Sequence, residues 1–390
     1  QGNKFKLSIE QNCKATPNQI NKEPFYIPLR LGLLNHDGEQ LPLINESGEK
    51  DLAPVYDRIY PITKSRQELV FHNIDSKPIP SLLRNFSAPV KLEYLYTQEE
   101  LYFLMVHDTD GFNRWNAGQS LASQVITSLQ SGESDEIDKA SAVISKAFKL
   151  ILNDSLNKKE VDKAMLAHIL ELPTEGALIE QAELAVVDDI HIARESVANF
   201  LSTDLKADFA EVFNSNFSEG IFSIESEDMA RRALKNISLN YLVRSGDSHW
   251  IEKCFHQFTQ ADNMTDQLAA LRFLMIYSEK HCREEADQAL HMFYDQWKHE
   301  PLVVDQWFVT QALYPGKESL KRVKALCNHQ AFDIKNPNKV RSLIGVFSSQ
   351  NHVQFHQDGG DGYEFLADSI IQLDQINPQI AARMMTPLTR

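Results

Sequence analysis

The chain holds thirteen histidines and four cysteines, enough to build a metal centre or a nucleophile, so their spacing is read first. A zinc-peptidase helix needs His-Glu-x-x-His, which sets two imidazoles one turn apart with a carboxylate as base. His299-Glu300 is followed by Pro301-Leu302-Val303, which leaves no second imidazole. His352-Val353-Gln354-Phe355-His356 has the i, i+4 spacing but puts Val353 where the base would stand. It reads as two surface histidines on one helical turn. Cys254-Phe255-His256 and Cys327-Asn328-His329 crowd their donors too closely for tetrahedral zinc, and read as buried thiols beside solvated histidines. Asp108-Thr109-Asp110-Gly111 alternates carboxylates, but its glycine comes too early for a calcium loop and no glutamate closes it, so a turn at a helix end is expected. Asp358-Gly359-Gly360-Asp361-Gly362 follows a helical stretch, which suits a turn and a helix start, not a phosphate cradle. No Gly-x-Ser-x-Gly elbow occurs. These residues define no metal site and no self-sufficient catalytic apparatus.

A different chemistry lies near the C-terminus. Asn336-Pro337 and Asn377-Pro378 each begin a helix in the same way, with asparagine as N-cap and proline at the first helical position. In the first, Val340, Leu343, Ile344 and Phe347 form a core stripe, with Arg341 at its edge. In the second, Ile380, Met384 and Leu388 form the stripe, and Gln379 and Arg383 share one flank. Arginine at a stripe edge is commonly a solvated side chain with a packed stem. The functional alternative is a guanidinium fork that holds a carbonyl or a carboxylate.

Two kinds of element must position these groups. Up to about residue 95 the apolar residues alternate: Phe5, Leu7 and Ile9; Phe25 to Leu29; Leu69, Phe71 and Ile74; Val90, Leu92 and Tyr94. Asn35-His36-Asp37-Gly38 is a hairpin signal, Asn45-Glu46-Ser47-Gly48 a further turn, and the prolines suit sheet edges and corners. About seven short strands are expected, a small antiparallel β-sandwich over residues 1–96. Thr97-Gln98-Glu99-Glu100 is a capping box, and from there the period is helical. Segments 160–170, 228–243, 264–277, 284–297 and 303–313 are amphipathic, with short punctuation between them. Residues 97–390 are too many for one four-helix bundle and are expected to stack as antiparallel pairs in an all-α superhelical solenoid.

Composition bounds the function. Asp plus Glu number 54 against 39 Lys plus Arg, a net charge of −15, which disfavours nucleic acid and anionic lipid as partners. No apolar run approaches the roughly 20 residues that span a bilayer. Four scattered cysteines suggest reduced thiols and a cytoplasmic location. The first residue is Gln1, not Met, which points to processing or to a piece of a longer protein.

Several runs carry a resemblance: Phe86-Ser87-Ala88-Pro89-Val90-Lys91-Leu92-Glu93-Tyr94; Phe112-Asn113-Arg114-Trp115-Asn116-Ala117-Gly118-Gln119; and Ala261-Asp262-Asn263-Met264-Thr265-Asp266. Further on are Asn336-Pro337-Asn338-Lys339-Val340-Arg341-Ser342-Leu343-Ile344-Gly345 and Asn377-Pro378-Gln379-Ile380-Ala381 through Pro387-Leu388. Over essentially the whole chain these resemble the last two of four domains of the bacterial aminopeptidase N family of zinc metallopeptidases. The resemblance implies that the His-Glu-x-x-His motif, the distal Glu ligand, the Gly-x-Met-Glu-Asn loop and the transition-state tyrosine lie in a missing part. It implies trimmed ends at Gln1 and Arg390, and a fragment that is inactive alone and holds no cofactor. One zinc ion would sit in the parent enzyme's catalytic domain, against which this chain packs. The helical domain would cap that active site and admit peptides but not folded proteins. Positions matching Arg341, Gln379 and Arg383 would bind the backbone or the C-terminal side of the peptide. On the same reading Asn338 shapes a helix start, and Tyr363 and Asp361 are structural. The expected protein is a monomer with neither nucleic-acid nor membrane partners. The residues alone leave one alternative, an independent β-sandwich plus α-solenoid scaffold that binds protein partners on its concave face.

Overall fold

The change of period near residue 97 is also the change of architecture. The computed structural model describes residues 3–44, 54–130, 134–158, 160–218, 220 and 222–389. The expected turn at Asn45–Gly48 lies outside these, as do Gln1 and Arg390.

Among the described residues six strands form two small antiparallel sheets: β1 (Lys4–Glu10), β2 (Ile27–Leu34), β3 (Gln40–Leu41), β4 (Arg58–Ile62), β5 (Arg66–His72) and β6 (Ile79–Leu82). One sheet pairs β1 with β5, so that Leu7 faces Leu69 and Phe5 faces Phe71. In the other, β2 pairs with β3, β4 and β6. Pro28 stands opposite Pro61 in that sheet, a pairing that leaves no N–H unused because neither has one. Leu7, Leu31, Leu33, Ile62 and Phe71 meet in the core, where Phe5 and Tyr60 both pack on the Phe71 ring. The expected hairpin is present. Asn35 Oδ1 accepts from the N–H groups of Asp37 and Glu39, and Gly38 takes φ +88°, where a side chain would be strained.

The run Val90–Tyr94 is not a strand, contrary to its alternation. Val90 and Leu92 remain 38% and 39% exposed while Lys91 and Glu93 face solvent, so neither face is covered and no ladder forms. The strand expected from Phe25 starts at Ile27, with Phe25 and Tyr26 exposed ahead of it.

The helices follow their caps. Thr97 Oγ1 accepts from Glu100 N–H at 3.1 Å and Glu100 Oε2 accepts from Thr97 N–H at 3.1 Å, which starts helix Gln98–His107. The segment expected over 160–170 shortens to Lys163–Ile169, because Asp162 caps it by accepting from Met165 N–H. By contact the chain divides into two units, Gln1–Gln124 and Val125–Arg390. The division falls inside helix Gly111–Leu129, and the first unit holds its start by a buried polar joint. Arg84 lies 3.1 Å from Asp108 and 3.3 Å from Asp57, and Asn113 donates to Ser81 Oγ and the Leu82 carbonyl. Asp108-Thr109-Asp110 is thus the expected helix-end turn, and Asp110 caps the next helix through Asn113 N–H.

In the second unit consecutive helices pack as neighbours: Lys206–Asn216 on Ser226–Arg244, Ser248–Gln260 on Met264–Tyr277, and that helix on Arg283–Trp297. The quoted run Ala261–Asp266 is a structural lock. Asn263 caps Met264–Tyr277, and buried Asp266 takes the Lys235 ammonium at 2.8 Å and an Asn236 amide at 2.9 Å.

Candidate functional site

The Asn336 side chain accepts from Asn338 N–H at 2.9 Å, and with Pro337 it starts helix Pro337–Val340. The helix does not continue as the stripe predicts. Residues Arg341–Gly345 form a π turn before α-helix resumes at Val346–Gln350. Val340, Leu343, Ile344 and Phe347 stay in the core nonetheless. A wider turn changes which residue of the next turn lies beside Arg341, and such π insertions commonly sit at functional sites. Lys339, one residue before the stripe, is buried. Its Nζ lies 2.7 Å from Asp305 Oδ1 and donates to the Pro301 carbonyl at 2.7 Å.

The second proline-started helix is Pro378–Met384, with Ile380 and Met384 buried. Leu388 leaves the predicted stripe: the helix stops at Met384, Thr386–Leu388 is a 3₁₀ turn around Pro387, and Leu388 is exposed.

These pieces form one wall of a groove of about 1510 Å³, lined by Arg341, Gly345, His352, Tyr363, Arg383 and Met384 among others. The facing residues come from helix Glu175–Gln181 and the segment after it, including Ile179, Glu183, Val186 and Asp188. Arg341 and Arg383, 42 positions apart in the sequence, therefore line the same space. Gln379 is exposed one turn before Arg383 and lies outside the lining. Among the described residues neither guanidinium has a carboxylate partner. Arg341 donates to two neutral acceptors, the Pro337 carbonyl at 3.1 Å and Asn338 Oδ1 at 3.0 Å. Arg244 shows the contrast, gripping Glu195 through two bonds of 2.8 and 3.0 Å.

The groove histidines are not simply surface groups. His352 and His356 are half-buried, their rings parallel and 5.9 Å apart, and His356 Nδ1 meets the Tyr363 hydroxyl at 2.6 Å. Burial holds both imidazoles below their ordinary pKa, and for His356 the neighbouring His352 adds to the effect. On helix Val187–Asp204, which packs against helix His352–Phe355, His191 hydrogen-bonds Glu175 at 2.6 Å, which raises its pKa. His329 is likewise only partly exposed: it packs among Tyr294, Trp307 and Phe308, and partial burial lowers its pKa. His256 is exposed as expected. Cys254 is buried, and burial pushes the Cys282 thiol up to about 12 and that of Cys327 to about 11, which makes poor nucleophiles. Gly360, at φ +75°, ends the turn from which helix Asp361–Asp374 starts.

Among the described residues no group of three or more His, Cys, Asp or Glu side chains could hold a metal ion. The zinc that the resemblance implies therefore finds no ligand set here, and no chemical step is derived through it. No described helix is long and apolar enough to cross a membrane. The arrangement can bind: it offers two cationic side chains and a lining of mixed polar and apolar residues. The sequence had no signal for the facing wall, since Glu175–Gln181 carries no motif, nor for the π turn.

Residues 98–390 match a family described as a domain of unknown function (DUF3458_C) with ARM repeats, and residues 1–95 match the DUF3458 domain of Ig-like fold. The chain is similar to aminopeptidase N of Escherichia coli (strain K12), 35% identical over 390 residues, covering 99% of this chain and 43% of that protein. Aminopeptidase N of Haemophilus influenzae (strain ATCC 51907 / DSM 11121 / KW20 / Rd) is 34% identical with the same coverage. Among solved structures, Legionella pneumophila aminopeptidase A in complex with aspartic acid aligns with a TM-score of 0.82 at 31% identity, over 98% of this chain and 42% of that one. The chain thus spans less than half the length of the relatives it matches.

Proposed function

The chain belongs to the family of DUF3458 Ig-like and ARM-repeat domains and corresponds to the C-terminal part of aminopeptidase N, and on that premise we propose that it serves peptide binding in a zinc-dependent enzyme that removes N-terminal amino acids. On this reading residues 1–96 are the β-sandwich domain and 97–390 the helical domain. The helical domain packs on the catalytic domain and caps its active site, so that peptides enter and folded proteins do not. The zinc ion belongs to the part of the enzyme outside this chain, and the whole acts as a cytoplasmic monomer. Arg341 and Arg383 hold carbonyl or carboxylate oxygens on the C-terminal side of the peptide, and Gln379 hydrogen-bonds its backbone beside them.

One observation carries the reading. In a chain with 54 acidic and 39 basic residues, two arginines line one groove and neither is matched to a described carboxylate. A fork left open where carboxylates abound is set for an outside acceptor. Ile179, Val186 and Met384 add apolar lining of the kind that takes side chains of an extended ligand.

The test is made in the full-length enzyme. Arg341→Ala or Arg383→Ala removes a charged hydrogen bond, so kcat/KM for peptides should fall about tenfold or more. Aminoacyl-arylamides, which reach no further than the first residue, should lose less. Equal losses on both substrate kinds would remove the proposed role.

A further inference from the structure

An exposed arginine samples many rotamers, and a ligand that fixes it must offset the loss. Arg341 is exposed yet held at two of its donors. Both acceptors come from the same helix start: the Pro337 carbonyl takes Nε–H, and Asn338 Oδ1 takes Nη2–H. That start is itself stiffened by Asn336, which caps it through Asn338 N–H. The Asn338 side chain is therefore free of cap duty, which falls to Asn336, and is spent on the arginine instead.

The chemistry of position 338 is what matters. A carboxylate there would have paired with Arg341 and cancelled its charge, as Glu195 does for Arg244 and Asp108 for Arg84. An amide fixes the fork and leaves the charge whole. On the other side, a Cβ placed on Gly345 would meet Met384 Sδ at 3.6 Å, the Val340 carbonyl oxygen at 3.7 Å and Arg341 Cβ at 3.8 Å, so the arginine stem lies against a packed surface and its head is held from the Asn338 side.

We propose that Asn338 is a positioning residue for Arg341, a neutral clamp that aims the guanidinium into the groove without neutralising it. The proposal rests on the reading of Arg341 as a substrate contact. Asn338 is exposed, does not line the groove, and acts through the arginine.

Three variants of the full-length enzyme test it: Asn338→Ala, Asn338→Asp and Arg341→Ala, each assayed on peptides and on single-residue arylamides. Asn338→Ala returns rotamer freedom to Arg341, so KM for peptides should rise about three- to tenfold with kcat little changed. The arylamide KM should move less. Asn338→Asp should raise the peptide KM further than alanine does, because the ion pair competes with the ligand. A merely structural role gives the opposite order, since a carboxylate in the first turn of a helix favours the helix dipole and is the better-tolerated change. Melting temperatures of the variants show whether either change perturbs folding, and the aspartate variant carries the test if alanine does. If Arg341→Ala leaves the peptide KM unmoved, the reading of Arg341 is wrong and the proposal goes with it. If Arg341→Ala raises KM and neither Asn338 variant does, the clamp alone is overturned.

Discussion

Replacing Lys339 by methionine should cost the helical unit more than any change on the groove wall. The ammonium lies 2.7 Å from Asp305 Oδ1, with the two side chains only 7% and 12% exposed. It also donates to the Pro301 carbonyl at 2.7 Å and sits 5.6 Å from the centre of the Phe308 ring. Methionine keeps the volume of the stem but leaves the Asp305 carboxylate almost dry and without a cation. Breaking a buried pair in this way costs about 3–5 kcal/mol, since the stranded charge has lost its water and gains nothing back. For a unit of this size each kcal/mol moves the melting temperature by about 2–4 °C, so a fall of roughly 6–20 °C is expected. Lys339→Met with Asp305→Leu removes both charges and should recover most of the loss, because two desolvation costs vanish with one attraction. Urea unfolding of the four members of the cycle, followed by circular dichroism, gives the coupling directly. A single-variant cost below about 1 kcal/mol, or a double variant as damaged as the sum of the singles, would refute the argument.

Two further outcomes follow from the same packing. Gly362→Ala would set a Cβ 2.3 Å from the Phe355 carbonyl oxygen, a backbone atom that cannot swing away, so a loss of about 1–3 kcal/mol is expected. Gly359→Ala meets nothing within 4 Å and should be neutral or stabilising by a few tenths of a kcal/mol in the same melts. For pH, burial lowers the pKa of His281, His329, His352 and His356 below 6.5. Their stabilisation is present above 6.5 and is lost as pH falls through the folded values. His191, raised from 6.5 by Glu175, runs the other way: its contribution is full below 6.5 and fades as pH rises through its folded value. Four against one predicts a melting temperature that drops between about pH 7.5 and about pH 5.5, less steeply in His329→Phe. A rise on acidification would contradict that balance.

Where a residue's role depends on its near neighbours in the chain, it could be read in advance. The capping box at Thr97, the asparagine caps at 336 and 377, and the hairpin at Asn35 all act within about five positions. Periodicity likewise located the helices Met264–Tyr277 and Ser226–Arg244 to within two residues at each end. It failed at Val90–Tyr94, where alternation is real but no described strand pairs with it. It also could not see that His329 would meet three aromatic rings brought from two other helices.

For the groove the division is equally plain. Arg341 and Arg383 were identifiable from spacing as arginines beside a core stripe. Only the tertiary structure decided that the two arginines share a wall, that Gln379 lies outside it, and that Glu175–Gln181 faces them. The burial of Lys339 against Asp305, 34 positions away in the sequence, belongs to that second class. The physical reason is range. Caps and periods are set by hydrogen bonds and side-chain contacts within a turn or two, which the local sequence specifies. Whether a charge is met by a carboxylate or left for a ligand depends on which helix packs across from it, and that is settled by the core.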